Sequence, residues 1–173
     1  FPQYKSANML ELNMAIIKET TKQLESAIKL DTDIILIDRS INDRQIWNYR
    51  RYLRKDIDEK TYLEAKEKYS KISSKLIDFL VITYADAIVS LKRDYNSSLA
   101  LEKITFLNTE NINEYNNSLN ALQELFNNSV KNFILLDTSY MNMDDVSIDI
   151  AEKIMIAMRQ KYIDSFKEKY NLK

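Results

Sequence analysis

Two rhythms of apolar and polar positions run along the chain. From Ala7 to Leu30 the residues Leu10, Met14, Ile17, Leu24 and Ile28 recur at helical spacing, interrupted by Thr21, and predict a long amphipathic helix. Asp31-Thr32 break it. Asp33–Ile37 then closes on an Ile-Ile-Leu-Ile run, too short for a helix and β-branched enough for a buried strand. After Ser40 the spacing predicts a helix to about Lys55, carrying Ile46, Trp47, Tyr49, Tyr52 and Leu53. Asp56-Ile57-Asp58 interrupts it, and Asp58 suits the N-cap of the next helix, striped by Tyr62, Ala65, Tyr69, Ile72 and Leu76.

Asp78–Tyr84 reads as a second buried strand, ending at Ala85-Asp86. A short helix follows from Ala87 to about Asp94, carrying Lys92 and Arg93. Tyr95 to Asn108 is weakly periodic and predicted as partly helical. Thr109 is placed to cap a helix striped by Ile112, Tyr115, Leu119, Leu122 and Phe126, with its end at Asn127-Asn128. Phe133–Leu136 makes a third apolar strand, stopped by Asp137-Thr138-Ser139. The last helix runs from about Asp144 towards Tyr170, with Asp144 and Asp145 against the positive end of its dipole. Its inner stripe is Val146, Ile150, Ile154, Ala157 and Met158. Three short strands between long helices imply crossovers and a parallel sheet, an α/β fold in one domain. Asp38-Arg39-Ser40, Asp86 and Asp137-Thr138-Ser139 would then share the carboxyl edge, where open α/β sheets bind ligands.

Composition narrows the chemistry. The 173 residues suffice for one domain with a core, and a net charge of −1 gives no general attraction to nucleic acid. No apolar run approaches the roughly 18 residues of a membrane span, and there is no signal segment, so the expectation is a soluble, cytoplasmic chain without a membrane partner. There is no Cys and no His, so acid–base chemistry falls to Asp, Glu, Lys or Tyr. Glycine is absent where about 7% is usual, which excludes any G-x-x-x-x-G-K-[ST] or G-x-G-x-x-G loop in these residues. The opening Phe1-Pro2-Gln3-Tyr4 has no Met, which leads to the expectation that an amino-terminal piece precedes it.

The order of elements resembles a family. Asp38-Arg39-Ser40 after a strand, Asp43-Arg44, Trp47, Leu91-Lys92-Arg93 and the lid-like run Leu107 to Asn116 are similar to the P-loop kinases of nucleosides and nucleotides, most closely the deoxynucleoside kinase and thymidylate kinase group. Tyr4 to Thr20 is similar to the helix that lines the acceptor site there. The resemblance implies a three-layer parallel sheet flanked by long helices, and transfer of the ATP γ-phosphoryl group to a nucleoside or nucleotide with Mg²⁺. It implies that Asp38 holds the Mg²⁺ or assists the acceptor hydroxyl, and that Arg39 grips acceptor or phosphate oxygens. Arg93 becomes the arginine at the base of a lid spanning about 95–108, with Ser40, Asp43 and Arg44 as further substrate or phosphate contacts. The Walker-type loop, the first strand and an acidic strand end are missing, and the lid has Lys103 as its one cation.

Each assignment has a structural alternative. Asp38 and Ser40 suit helix caps, and Asp38–Arg39 or Asp43–Arg44 suit simple ion pairs. Arg93 suits a solvated cation near a helix carboxyl end. Arg50, Arg51, Arg54 and Lys55 form the densest basic patch and read as a solvated helix face, Trp47 reads as core, and the helix stripes read as packing surfaces. Two functions stay open: the phosphotransferase, and a kinase-like binding or assembly module without a phosphate loop, suggested by the missing glycines. The helix stripes exceed what three strands can cover, which predicts a homodimer through helices.

Overall fold

The computed structural model describes residues 9–32, 34–39, 41–99 and 108–171. Its elements, in chain order, are α1 (Met9–Ala27), α2 (Ile41–Leu53), α3 (Glu59–Leu76), β1 (Phe79–Tyr84), α4 (Ala87–Leu99), α5 (Thr109–Ser129), β2 (Asn132–Asp137) and α6 (Met143–Lys169). Side-chain oxygens set four helix starts by satisfying otherwise unpaired backbone N–H groups, Asp86 doing so for α4 by accepting from the Ile88 amide at 2.8 Å. Asp58 accepts from the Thr61 amide at 2.7 Å, and Asn142 accepts from the Asp145 amide at 2.9 Å. At α5 the cap is Asn108, accepting from the Asn111 amide at 2.8 Å, one residue before the predicted Thr109. The helix after β1 also runs further than its pattern predicts, to Leu99.

With no glycine in the chain, left-handed backbone falls to other residues: Arg39 (φ 58°), Lys55 (φ 62°) and Asn171 (φ 50°). Lys55 closes α2. Its amide donates to Tyr52 O and the Asp56 amide donates to Arg51 O, the paired bonds of a Schellman cap in which glycine is usual.

The expected three-layer sheet is not formed. β1 and β2 pair in parallel, from Phe79 opposite Asn132 to Tyr84 opposite Asp137, and make a sheet of two strands in a largely helical chain. The predicted strand Asp33–Ile37 is the difference: Asp33 lies outside the described residues, and 34–37 have no ladder partner among the described residues. Ile34, Leu36 and Ile37 stand exposed, Leu36 at 86%. An apolar β-branched run expresses fitness for a pleated, covered surface; it does not supply the neighbouring strand that must satisfy its backbone.

Two clusters form the core. Ile46 of α2, Leu80 of β1 and Leu119, Leu122 and Phe126 of α5 make one, with Phe133 and Leu135 of β2 against it. Ile17 and Leu24 of α1, Ile41 of α2 and Ala65 and Tyr69 of α3 make the other. Ile77 packs against both and joins them just before β1. α6 rests against β2 and buries no residue fully. Among the described residues no helix is long and apolar enough to cross a membrane.

Candidate functional site

The carboxyl ends of β1 and β2 open into a cavity of about 700 Å³. Backbone pairing continues past the strands and shapes its floor. The Thr138 amide and hydroxyl both donate to Tyr84 O, at 2.8 and 3.0 Å, and the Asp86 amide donates to Ser139 Oγ at 2.8 Å. Ser139 in turn donates to Asp137, and those hydrogen bonds hold the Asp137 carboxyl below its ordinary range. Thr83, Tyr84, Ala85 and Thr138 line this floor. The predicted convergence of strand ends therefore holds for two of the three.

Arg93 reaches the floor from α4. Its guanidinium donates to Thr138 Oγ1 at 3.0 Å, to Thr138 O, and to Met141 O at 2.8 Å. These acceptors are neutral, so the bonds fix the group without cancelling its charge. Because α4 continues to Leu99, Arg93 is exposed at mid-helix and not at a carboxyl end.

The wall opposite comes from α2 and α5. Trp47, Arg50 and Arg54 recur at i, i+3 and i+7, so one helical face presents all three to the cavity. The Arg50 guanidinium lies 4.7 Å above the Trp47 ring. Arg50 and Arg54 share two acceptors on α5: Asn111 Oδ1, at 3.2 and 3.1 Å, and the Glu114 carboxylate, 2.8 Å from Arg50. Those hydrogen bonds, from Arg50 first and then Arg54, lower the Glu114 pKa. Arg50 is 4% exposed, and its Nε has no hydrogen-bond partner among the described residues. The reading of this basic patch as a solvated face is therefore corrected at Arg50, and Trp47 is a half-buried wall residue instead of core.

Tyr115 completes the wall, its ring 6.1 Å from Trp47 and its hydroxyl donating to Asp43 Oδ1 at 3.1 Å. Burial, then the adjacent Asp43 charge, push its pKa up, so the hydroxyl stays protonated. Asn116 is held by its donation to Ala85 O at 2.8 Å.

Among the residues expected from the sequence, Arg39 and Arg93 line the cavity. Arg39 does so from a left-handed backbone, a conformation costing a non-glycine residue about 1 kcal/mol. Asp43 is joined through Tyr115 and forms no ion pair with Arg44 among the described residues. Arg44 is exposed and acts on Tyr69, away from the cavity, and Asp38 is exposed and outside the lining. Ser40, residues 100–107 of the lid-like segment and Tyr4 lie outside the described residues. The run 108–116 belongs to the cap and first turns of α5, and Asn111, Tyr115 and Asn116 bring it into the cavity. Arg50, Arg54 and Tyr115 were legible as helix-face partners of Trp47 and Asn111, but a basic run and an aromatic stripe look identical whether they face solvent, core or ligand.

Four guanidinium groups thus line the cavity; the Glu114 carboxylate pairs with two of them, Arg50 and Arg54, and Asp43 accepts from the Tyr115 hydroxyl. Among the described residues no carboxylate lines the cavity, and no three acidic side chains gather to hold a metal ion. The guanidinium donors suit phosphate oxygens. No family model, no curated protein and no solved structure matches the chain.

Proposed function

We propose that the cavity binds a nucleoside phosphate, as the nucleotide-binding part of a phosphotransferase that moves a phosphoryl group from ATP to a nucleoside or nucleotide. One observation carries this reading: four guanidinium groups and the rings of Trp47, Tyr84 and Tyr115 surround one cavity of about 700 Å³. Guanidinium forks match phosphate oxygens two at a time, and aromatic faces stack on a base. Phosphoryl transfer asks mainly for positioning and positive charge around the transferred group, and the presence of Arg39 and Arg93 in the cavity lining supports that reading. ATP is the phosphoryl donor in this reading, with Mg²⁺ arriving on its phosphates, because the described residues offer the ion no cluster of their own.

A second reading keeps the binding and drops the transfer. It is favoured by the lack of a lining carboxylate among the described residues to take a proton from an acceptor hydroxyl, and by a Tyr115 hydroxyl held protonated.

Trp47 is the sole tryptophan of the chain and stands in the cavity wall, so its fluorescence reports occupancy. Titration of the 173-residue chain with ATP, ADP and thymidine monophosphate, with and without Mg²⁺, is expected to give a saturable change in emission for at least one of them. Arg39→Ala should weaken that binding roughly tenfold or more. No saturable change with any of the three rejects nucleotide binding. Where binding is found, ³¹P NMR of a mixture with ATP and nucleoside separates transfer from binding alone.

A further inference from the structure

α6 is apolar on two faces, and the structure covers one of them. Val146, Ile150, Ile154 and Ala157 are half-buried on the side that meets β2, and Lys161 fixes that side by pairing with Asp78 at 3.4 Å. At 3.6 residues per turn, Ile148, Met155, Tyr162 and Phe166 fall together on the other side. They are 57%, 64%, 74% and 48% exposed. A surface helix usually needs one apolar stripe; the second asks for a partner.

Charge on the same stripe identifies that partner. Glu152 and Arg159 lie between the exposed apolar residues, both exposed, and neither forms an ion pair among the described residues. They are equally far from the midpoint between Met155 and Ile156. The first turn of α6 carries Asp144 and Asp145, and the last carries Lys167 and Lys169. A two-fold axis through that midpoint lays one α6 antiparallel on another. Glu152 then faces Arg159 of the other copy, twice over, acidic first turns meet basic last turns, and Ile148 packs near Tyr162. A parallel pairing would set like charges against each other.

We infer that the exposed face of α6 is a self-complementary surface on which two copies of this chain pair antiparallel about Met155. Closed two-fold pairing needs one patch that is complementary to itself, and this stripe is. The inference stands apart from the cavity and from any ligand it binds.

Sedimentation velocity of the full chain across micromolar concentrations tests it. The wild type is expected to be a dimer; Glu152→Arg and Arg159→Glu should each weaken it roughly tenfold or more, and the two together should restore it. Circular dichroism establishes that each variant is folded. The chain lacks cysteine, so single thiols give a second measurement. Met155→Cys, beside the axis, should oxidise to a covalent dimer, whereas Ile148→Cys should not, its two copies lying roughly 20 Å apart. A wild type monomeric throughout, including one whose α6 face is covered by its own chain or by vesicles, overturns the inference. So does a dimer indifferent to both reversals, or one cross-linked through Ile148→Cys.

Discussion

Arg50 of α2 and Glu114 of α5 form a 2.8 Å ion pair between side chains of unequal burial, 5% exposed for the arginine and 40% for the glutamate. The buried partner depends on the exposed one. Arg50 lies where an uncompensated charge is costly, while Glu114 could be hydrated without it.

Glu114→Gln should therefore lower stability by roughly 1–3 kcal/mol in denaturant unfolding. It should also make nucleotides more stabilising than they are for the wild type, since Arg50 and Arg54 lose a competing acceptor. The pH dependence has a fixed sign. Glu114 has a lowered folded pKa, so its contribution is present above the ordinary glutamate range and is lost as pH falls through the folded value. The variant should have a flatter acid limb, and wild-type stability at neutral pH would contradict the assigned role.

Arg93→Lys preserves charge and removes the fork that reaches Thr138 and Met141 together. Nucleotide affinity should drop about tenfold, with stability lower by about 1 kcal/mol. Full affinity in the lysine variant, measured by Trp47 emission, would reduce Arg93 to a point charge.

Lys55→Gly should raise stability by about 0.5–1 kcal/mol, because Lys55 occupies a left-handed Schellman position that glycine takes without steric cost. Thermal unfolding checks it; a lower Tm would show that the cap is not strained.

Burial pushes the pKa of Tyr62 and of Tyr69 up to about 12 from the ordinary 10.0. Both contributions are fully present below pH 10 and lost as pH rises towards the folded values, so stability should fall steeply in that interval. Tyr69→Phe removes one of the two groups and should reduce the loss. An alkaline profile unchanged by the substitution would place the sensitive group elsewhere.

Much of this organisation was legible locally. The cap at Asp58, the stripe Tyr62–Ala65–Tyr69 and the apolar runs of β1 and β2 depend on neighbours within a few residues or on burial of one face. Periodicity expresses both directly. Arg39 and Arg93, expected from the resemblance, line the cavity, although the run that Arg39 follows forms no ladder.

What the sequence determined by itself is this: where helices begin, which residues form their apolar stripes, and that two apolar runs carry polar groups at their carboxyl ends. Tertiary structure alone decided the rest. Ile34–Ile37 has strand propensity and no ladder, because pairing needs a second backbone brought alongside by the whole fold. The Arg50–Arg54 run became a cavity wall because α5 supplies Glu114, Asn111 and Tyr115 across some sixty residues of chain. A guanidinium has the same composition in solvent, in a core or over a ligand; its role is set by what lies opposite, and chain order does not encode that.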